Sequence, residues 1–413
     1  MLSKVHILMI TLLVVPDLYI YLMYVRHWTT NKWKRAAYFI PALFLIVYYL
    51  IVHFNDDMHM KHQVMVGTLM VVFLTLTAPK MLFTIFDSIG YGISRLRGEE
   101  NCSGTIRRYI RLLSMTIAIS STMVILYGYF WGRNQYVVNE QTIYFKNLPE
   151  AFDGYRLLHF SDLHLGTFGD GHQSDVSTIV NLLNKQKCDA ILFTGDIVNY
   201  ESLELEGYKE VLSRLKAKDG VFSVMGNHDY NIYLPYATKE EKDADTERIK
   251  AAERTYGWKL LLNENSIIRR GNDSIAIAGS ENDGLPPWPS LGDIPKATKG
   301  LTGIERSKST DFPADSIPDH TFTVMLTHDP THWRRNILPE TYIDLTLAGH
   351  THAGQFKLLG WSPVQLRYTE WSGVYTEGSQ VINVTDGIGQ IMLPLRFGAW
   401  PEADIITLKR LRQ

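Results

Sequence analysis

The sequence predicts an α/β domain preceded by an all-α transmembrane region of about four helices. Three observations lead to this fold class. Long apolar runs occupy the first part of the 413-residue chain, short apolar runs alternate with helical spacing in the rest, and residues of metal-ligand type follow the short runs directly. A composition that changes so abruptly indicates two domains. We therefore expect a transmembrane anchor at 1–132 and a second domain at 133–413.

Four apolar runs have the length of membrane-spanning segments. A helix that crosses about 30 Å of hydrocarbon needs about 20 residues, and the runs lie at 5–25, 38–54, 64–86 and 112–131. The third run contains Lys80, which must reach the membrane interface or find a partner. The first run lacks the basic start, short apolar core and cleavage site of a signal peptide. We therefore expect all four segments to be retained as helices.

The charges of the connecting loops predict the orientation of the anchor, because positively charged short loops stay on the cytoplasmic side. The middle loop carries Asp56 and Asp57. The loops before and after it are basic, with Arg26, Lys32, Lys34 and Arg35 in one and Arg95, Arg97, Arg107, Arg108 and Arg111 in the other. The fourth segment should then end outside the cytoplasm. We expect an integral protein of a bacterial inner membrane whose large domain is extracytoplasmic.

The polar content of the four segments favours an anchor over a transporter, which needs several ionisable residues around a shared cavity. Only Asp17 and Lys80, each beside a proline, stand out inside the runs. The middle loop holds residues that could bind a metal, although we favour a solvated interfacial loop: His53, Asp56, Asp57, His59 and His62.

The overall composition argues against two other classes of site. A net charge of -2 without a basic run does not suit binding of nucleic acid. The two cysteines, Cys102 and Cys188, have no CxxC spacing. Neither a disulfide framework nor a thiolate metal site is therefore indicated.

From Gly132 onward, short apolar runs predict buried strands at 157–160, 190–193, 221–225, 322–326 and 345–348. Helical spacing appears between them, at 176–183 and 208–215, which gives a βαβ succession. We also expect a strand at 137–145, a charged helix at 238–256, and strand-like runs near Leu260, Ile267 and Ile275. The region 280–320 is rich in Pro, Gly and Asp, and loops of this length are usually functional or disordered.

The chemistry of the domain is concentrated directly after the five predicted strands. Ligands of open α/β sheets bind beyond the carboxyl ends of the strands. In chain order the five strands are followed by Asp162 and His164, by Asp196, by Asn227, His228 and Asp229, by His328 and Asp329, and by His350 and His352. An isolated histidine or Gly-Asp pair is more often structural. Five such runs in order, each at a strand end, point to one shared site.

The spacing and the chemistry of these donors indicate a metal centre. Asp162 and His164, like His350 and His352, are two positions apart, so both members of each pair can point to one side of an extended segment. Glycines at 195, 226 and 349 permit sharp exits from the strands. Carboxylate, imidazole and amide donors without thiolate suit Mn, Fe or Zn.

This motif series resembles that of the calcineurin-like metallophosphoesterases: DxH, GD, GNHD, a single His, and GHxH. All five motifs are present, and the resemblance covers about 155 to the end of the chain. The runs Ser161 to Gly166, Gly349 to Gln355 and Pro394 to Gly398 are similar to the bacterial membrane-associated branch. The resemblance implies an αββα metallophosphoesterase sandwich with its site at one edge.

The resemblance also implies a role for each site residue. Two divalent metal ions would share a water or hydroxide that acts as nucleophile. His228 would protonate the leaving oxygen or stabilise charge on the phosphate, and Asp229 would orient it. Asp329 would at most support a ligand. The implied ligands are Asp162, His164 and His352 for one metal, Asn227, His328 and His350 for the other, and Asp196 for both.

The predicted function is hydrolysis of a phosphomonoester, phosphodiester or pyrophosphate, and a membrane lipid is an attractive substrate for an enzyme tethered to the bilayer. Two alternatives belong to other classes: a noncatalytic metal-binding scaffold, which would be expected to have lost ligands, and a membrane sensor or transporter. The sequence 285–288, Leu-Pro-Pro-Trp, predicts either an apolar lip over the site or an ordinary surface loop.

Overall fold

The computed structural model describes residues 4–53, 63–98, 104–169, 173–306 and 319–411. The chain forms two compact units. The first comprises Met1–Trp131 with Leu393–Leu395, and the second comprises Gly132–Met392 and Arg396–Gln413. The acidic and histidine residues predicted at 56–62 lie outside the described residues, as does Cys102.

The first unit is helical, and the prediction of about four apolar helices is confirmed. Among the described residues, four stretches are long and apolar enough to cross a membrane, at Met9–Trp28, Lys32–Ile51, Gln63–Leu96 and Thr105–Asn134. A helix satisfies its own backbone polar groups, which hydrocarbon cannot do. The helices are α1 (Lys4–Ile20), α2 (Arg26–Trp28), α3 (Lys32–Ala37), α4 (Ile40–His53), α5 (Gln63–Leu96) and α6 (Thr105–Phe130).

Lys80 in α5 has the partner that the sequence required. Its Nζ lies 2.7 Å from Oδ1 of Asp17 in α1, and the hydroxyl of Tyr38 donates to the same oxygen at 2.9 Å. The two polar residues that stood out in the apolar runs therefore compensate each other. An intramembrane charge is tolerated when it is paired in this way.

A second buried ion pair explains why α5 and α6 extend beyond the predicted apolar runs. Arg107 of α6 donates two hydrogen bonds to the carboxylate of Asp87 in α5, and both residues are almost fully buried. Tyr19 and Tyr24 donate to the same carboxylate at 2.8 and 2.6 Å. The predicted boundaries excluded both charges, but the charges satisfy each other, so the helices continue through them.

The second unit contains two six-stranded mixed sheets. Their strand orders are β1-β12-β2-β3-β4-β5 and β10-β11-β9-β8-β7-β6. The strands are β1 (Val137–Phe145), β2 (Arg156–Phe160), β3 (Ala190–Phe193), β4 (Val221–Ser223), β5 (Lys259–Leu260), β6 (Glu264–Arg270), β7 (Asp273–Gly279), β8 (Thr323–Leu326), β9 (Leu345–Ala348), β10 (Gly373–Glu377), β11 (Gln380–Val384) and β12 (Glu402–Arg410).

Side chains alternate along these strands between separate apolar layers, which confirms the αββα architecture. Leu157 and Leu192 lie in the layer between the two sheets, whereas Leu158 and Ile191 face the helices outside the first sheet. Met325 likewise packs outside the second sheet. The helices of this unit are α7 (Gln173–Lys185), α8 (Lys209–Leu212), α9 (Lys239–Thr255), α10 (Ile294–Ala297) and α11 (Leu338–Glu340).

The last three strands have no counterpart among the predicted elements, and one helix is shorter than predicted. β12 is an interior strand of its sheet, parallel to β1 and antiparallel to β2. Its apolar run is interrupted by Asp404, whose carboxylate accepts hydrogen bonds from Asn139 in the adjacent β1 and from Asn383 in β11 of the other sheet. The helix predicted at 208–215 is one turn, α8. Partners distant in sequence account for β12.

The topology brings the motif loops to one region. Strands β2, β3 and β4 are mutually parallel in the first sheet, and β7, β8 and β9 are mutually parallel in the second. The loop after β2 hydrogen-bonds to the loop after β3 through Asp162 N and Gly195 O at 2.9 Å. The loops after β8 and β9 are joined by Gly349 N and His328 O at 3.0 Å.

Candidate metal centre

Five of the seven predicted metal ligands have a left-handed backbone conformation. Such φ values are uncommon for residues with a Cβ atom and mark strain that the surrounding fold maintains, often at functional sites. The φ values are 58° at Asp162, 48° at His164, 58° at Asp196, 73° at His350 and 50° at His352.

Two of the predicted glycines are required by close contacts at the site. A Cβ on Gly349 would collide with Ser161 and the Asp162 carboxylate, and a Cβ on Gly226 would collide with the Asp196 carboxylate. The glycines therefore let backbone from one strand end approach a carboxylate from another. His350 N, next to Gly349, donates to Asp162 at 3.1 Å.

The first group of donors consists of Asp162, His164 and His352, and all three residues are buried. His352 Nε2 lies 3.2 Å from Asp162 Oδ1 and 3.1 Å from His164 Nε2. Residues nearly 200 positions apart thus place three donor atoms within 4.8 Å of one another. This group corresponds to the ligands predicted for one metal.

The second group lies around His328 and His350. His350 Nδ1 is 2.7 Å from Asn227 Oδ1 and 3.2 Å from His328 Nε2. His328 Nε2 is in turn 3.0 Å from Asp196 Oδ2. The three residues predicted for the other metal therefore converge beside Asp196.

Asp196 connects the two groups. Its carboxylate forms one possible metal-binding set with His328 and His350 and another with His164 and His228. His164 Nε2 lies 3.7 Å from Asp196 Oδ2. Buried carboxylate, imidazole and amide donors at these separations fit a divalent cation. The predicted non-ligand His228 is also close enough to belong to one set.

Backbone carbonyls determine which imidazole nitrogen faces the site. Nδ1 of His328, His164 and His228 lies 2.7, 3.2 and 2.6 Å from the carbonyl oxygens of Thr194, Val198 and Asn199. A carbonyl oxygen only accepts, so each Nδ1 carries hydrogen and the Nε2 lone pair of a neutral ring points inward. The segment after β3 thus orients three histidines.

His352 is held differently, by a buried arginine. Arg396 donates to His352 Nδ1 at 3.1 Å and also to the carbonyls of Asp386, Gly389 and Ala399. A neutral His352 then carries its hydrogen on Nε2, toward Asp162. Binding a cation through Nε2 requires that hydrogen to leave, so His352 fits a metal less directly than His164, His228 and His328 do.

Burial and charge set the protonation of the site. Burial holds the pKa of His164 well below its usual value and lowers that of His350 to about 4. Burial opposes charge on His328, but Asp196 and Asp162 outweigh it and raise its pKa to about 10. Burial also opposes ionisation of Asp162, yet the surrounding histidines hold its pKa low. Ionised carboxylates beside mainly neutral imidazoles are the state that metal ligands require.

Asp229 does not contact the His228 ring in the way the sequence analysis expected. Its two carboxylate oxygens accept hydrogen bonds from the backbone N–H groups of Asp196, Ile197, Val198 and Gly226, at 2.8 to 3.3 Å. All its acceptor capacity is directed at the loops after β3 and β4, and the His228 ring is oriented by the Asn199 carbonyl instead. We infer that Asp229 positions loops, including the one that carries Asp196.

Four site residues were not predicted or were left as one of two alternatives. Tyr368 Oη lies 2.9 Å from His350 Nε2 and so fixes the orientation of that ring. The Tyr233 ring stacks on His228 with centroids 4.2 Å apart, and Trp288 lies 4.8 Å from His350. Trp288 thus belongs to the site, as the lip interpretation required. Only Arg396 had a further sequence signal, in the run Pro394 to Gly398.

Asp329 lies near His350 and not beside the ring of its neighbour His328. Its Oδ2 is 3.8 Å from His350 Nε2, and its Oδ1 accepts from the backbone and hydroxyl of Thr331 at 2.8 and 2.7 Å. Asp329 is therefore placed to support a histidine, which is the supporting position that the sequence analysis allowed it.

Comparison with known proteins assigns this fold and site to a family. Residues 155–354 match the family described as "Calcineurin-like phosphoesterase", and residues 3–133 match "Probable Calcineurin-like phosphoesterase, transmembrane domain". The chain belongs to the calcineurin-like metallophosphoesterase family. It is a membrane protein and a hydrolase of phosphate esters.

Three bacterial relatives support this assignment. A metallophosphoesterase of Helicobacter pylori is 30% identical over 299 residues, which is 68% of this chain and 68% of the relative. The metallophosphoesterase YkuE of Bacillus subtilis is 28% identical over 68% of this chain and 90% of its own length. The phosphodiesterase YaeI of Escherichia coli is 27% identical over 73% of this chain and 98% of its own length.

Proposed function

We propose that this protein hydrolyses phosphate esters with two divalent metal ions, Mn, Fe or Zn, held at the strand ends. One ion would be held by Asp162, His164 and His352, and the other by Asn227, His328 and His350. The observation that carries this proposal is the position of Asp196, which takes part in two possible metal-binding sets. A carboxylate shared in this way suits a bridging ligand.

Proton transfer and positioning are assigned to residues of the chain. When bound, the two ions supply neutralisation of phosphate charge and activation of water. Asn199 holds Nδ1 of His228, so Nε2 points inward, and we propose that Nε2 takes up a proton and passes it to the leaving oxygen. The stacked Tyr233 ring keeps the imidazole in place. Tyr368 and Asp229 act indirectly, by holding His350 and the loops.

The site and the membrane unit both support a proposal for the substrate class. The donor arrangement serves phosphomonoesters, phosphodiesters and pyrophosphates alike. The relative named as a phosphodiesterase favours substrates whose reacting phosphate carries two substituents, a feature that diesters share with substituted diphosphates. Four helices able to cross a membrane would keep the enzyme close to lipid, so we propose a lipid-linked phosphate ester as the natural substrate.

We propose that the protein lies in a bacterial inner membrane with its catalytic unit outside the cytoplasm, on the loop charges given above. Protease added to intact spheroplasts is expected to degrade the catalytic unit. If the catalytic unit is instead protected until the membrane is opened, the orientation is the opposite of the one proposed.

Removal of metal and the exchange His228→Ala test the proposed reaction. The full-length protein in detergent is stripped with a chelator, reloaded with Mn, Fe or Zn, and assayed with p-nitrophenyl phosphate and bis(p-nitrophenyl) phosphate. We expect activity to depend on metal and kcat to fall roughly 10²- to 10⁴-fold in the variant, the usual contribution of a general acid.

The matched control is His27→Ala, which removes an exposed histidine outside the site. Its activity should equal that of the wild type. A metal-loaded, folded wild-type protein that hydrolyses neither ester would contradict the proposed reaction, and undiminished kcat in His228→Ala would contradict the role of this histidine.

A further inference from the structure

A cationic side chain stands at the rim of the candidate metal centre without an acidic partner. Arg367 is exposed, and among the residues that the structure describes no carboxylate pairs with it. Its guanidinium lies 4.8 Å from the centre of the Trp288 ring and 5.8 Å from that of Tyr368. Aromatic faces hold a guanidinium by cation–π attraction, and the N–H groups of Arg367 that do not face the Tyr368 hydroxyl stay available.

Both aromatic rings that contact Arg367 also contact His350 of the candidate metal centre. Tyr368 hydrogen-bonds to His350 Nε2, and the rings of Trp288 and His350 are nearly perpendicular with centroids 4.8 Å apart. Trp288 also donates its indole N–H to the Tyr233 hydroxyl at 2.8 Å. The Trp288 ring therefore contacts both the guanidinium and a predicted metal ligand.

The loop that carries Trp288 is held in place. Gly284 N and the Asn282 side chain both donate to the Pro289 carbonyl, at 2.9 and 2.7 Å. Arg335 clamps Asp283 through its carboxylate and its carbonyl, at 2.6 and 2.8 Å. The platform beneath Arg367 is thus part of a hydrogen-bonded loop and not a freely moving side chain.

We propose that Arg367 binds a second phosphate group of the substrate, so that this enzyme acts on diphosphate linkages. A guanidinium binds phosphate oxygens with two parallel hydrogen bonds. The reacting phosphate belongs at the metal centre, and Trp288 contacts both Arg367 and the predicted ligand His350, so we place an anion joined directly to that phosphate beside Arg367. Because this inference rests on the proposed function, it specifies the substrate class of that same site.

The reaction on such a substrate balances without a further reactant. The oxygen of water forms a bond to one phosphorus, and the bond from that phosphorus to the bridging oxygen breaks. The other phosphate leaves with the bridging oxygen, one proton of the water goes to each product, and each product is a phosphomonoester. Arg367 would bind the leaving phosphate, where negative charge accumulates.

The experiment compares two substrates that differ by one phosphate, diphenyl phosphate and P1,P2-diphenyl diphosphate, with full-length metal-loaded protein in detergent. In Arg367→Gln we expect KM for the diphosphate to rise about tenfold or more, the effect of losing a charge-assisted pair. Hydrolysis of diphenyl phosphate should change less than twofold. Arg367→Lys should recover part of the loss, because it keeps the charge without the two-pronged geometry.

The matched control is Arg248→Gln, an exposed arginine of α9 that pairs with Asp245 away from the site. It should leave both substrates unaffected. An equal loss on both substrates in Arg367→Gln, or no loss on either, would overturn the proposal.

Calorimetric binding separates this proposal from the proposed function. P1,P2-diphenyl methylenediphosphonate cannot be hydrolysed at its carbon bridge, and we expect its Kd to rise about tenfold in Arg367→Gln. If the wild type hydrolyses neither substrate but this Kd still depends on Arg367, the catalytic function fails and the phosphate subsite stands. If the Kd is unchanged, the subsite fails.

Discussion

Replacing Asp196 with Asn is expected to lower kcat/KM for phosphate-ester hydrolysis by roughly 10³-fold or more, because one exchange affects both proposed metal sites. Loss of residues that only support ligands already costs about 10- to 100-fold. Asn keeps an oxygen that can accept the hydrogen bond from His228 N, which lies 2.8 Å from Asp196 Oδ1. The fold should therefore survive while the negative charge is lost. Metal content measured by plasma emission spectroscopy should fall together with activity.

The control for this exchange is Asp243→Asn, which removes an exposed carboxylate of α9. It should retain wild-type activity and metal content. Wild-type metal content and activity in Asp196→Asn would mean that Asp196 is not a shared ligand, and the assignment of both metal sites would fail with it.

The exchange Asp229→Asn is expected to destabilise the catalytic unit by roughly 2–5 kcal/mol, through backbone groups and not through the His228 ring. Asp229 is fully buried, and each carboxylate oxygen accepts two backbone N–H groups. Asn has one accepting oxygen, so its NH₂ group would face two amide donors. A buried donor that loses its acceptor costs about 1–3 kcal/mol. The thermal unfolding midpoint of the catalytic unit should fall accordingly.

The measurement is made with and without chelator, because metal binding itself stabilises a folded protein. A decrease of the unfolding midpoint that persists in chelator reports the lost hydrogen bonds, whereas a decrease seen only with metal reports weaker metal binding. An unchanged midpoint under both conditions would show that these four hydrogen bonds do not stabilise the loops after β3 and β4.

The ion pairs of the membrane unit illustrate what local pattern recognition misses. Asp87 and Arg107 lie outside the predicted apolar runs, because each charge interrupts the hydropathy of its own segment. In the structure they neutralise each other, with Tyr19 and Tyr24 as further donors. Hydropathy along one segment contains no information about a partner on another helix. The helices therefore exist where they were predicted, but they end later or begin earlier.

At the metal centre, likewise, the ligands were predicted from their motifs, but the residues that orient them were not. All seven predicted ligands converge, since each motif follows a strand and parallel strands end at one edge. The residues that orient them come from elsewhere. Arg396 reaches His352, Tyr368 reaches His350, and Asn199 takes the place expected of Asp229 at His228. A tyrosine or a backbone carbonyl that orients a histidine has no sequence signature. Its contact depends on how the tertiary fold brings distant parts of the chain together.

The sequence by itself determined the four apolar helices, the α/β character of the second unit and the donor residues of the metal centre. These features depend on run length, periodicity and spacing, which are local properties of the chain. Only the tertiary structure decided the place of β12 in the first sheet, the pairing of Lys80 with Asp17 and the presentation of Arg367 on Trp288. Each of these joins residues distant in sequence, and their proximity results from packing of the whole fold, which no local pattern specifies.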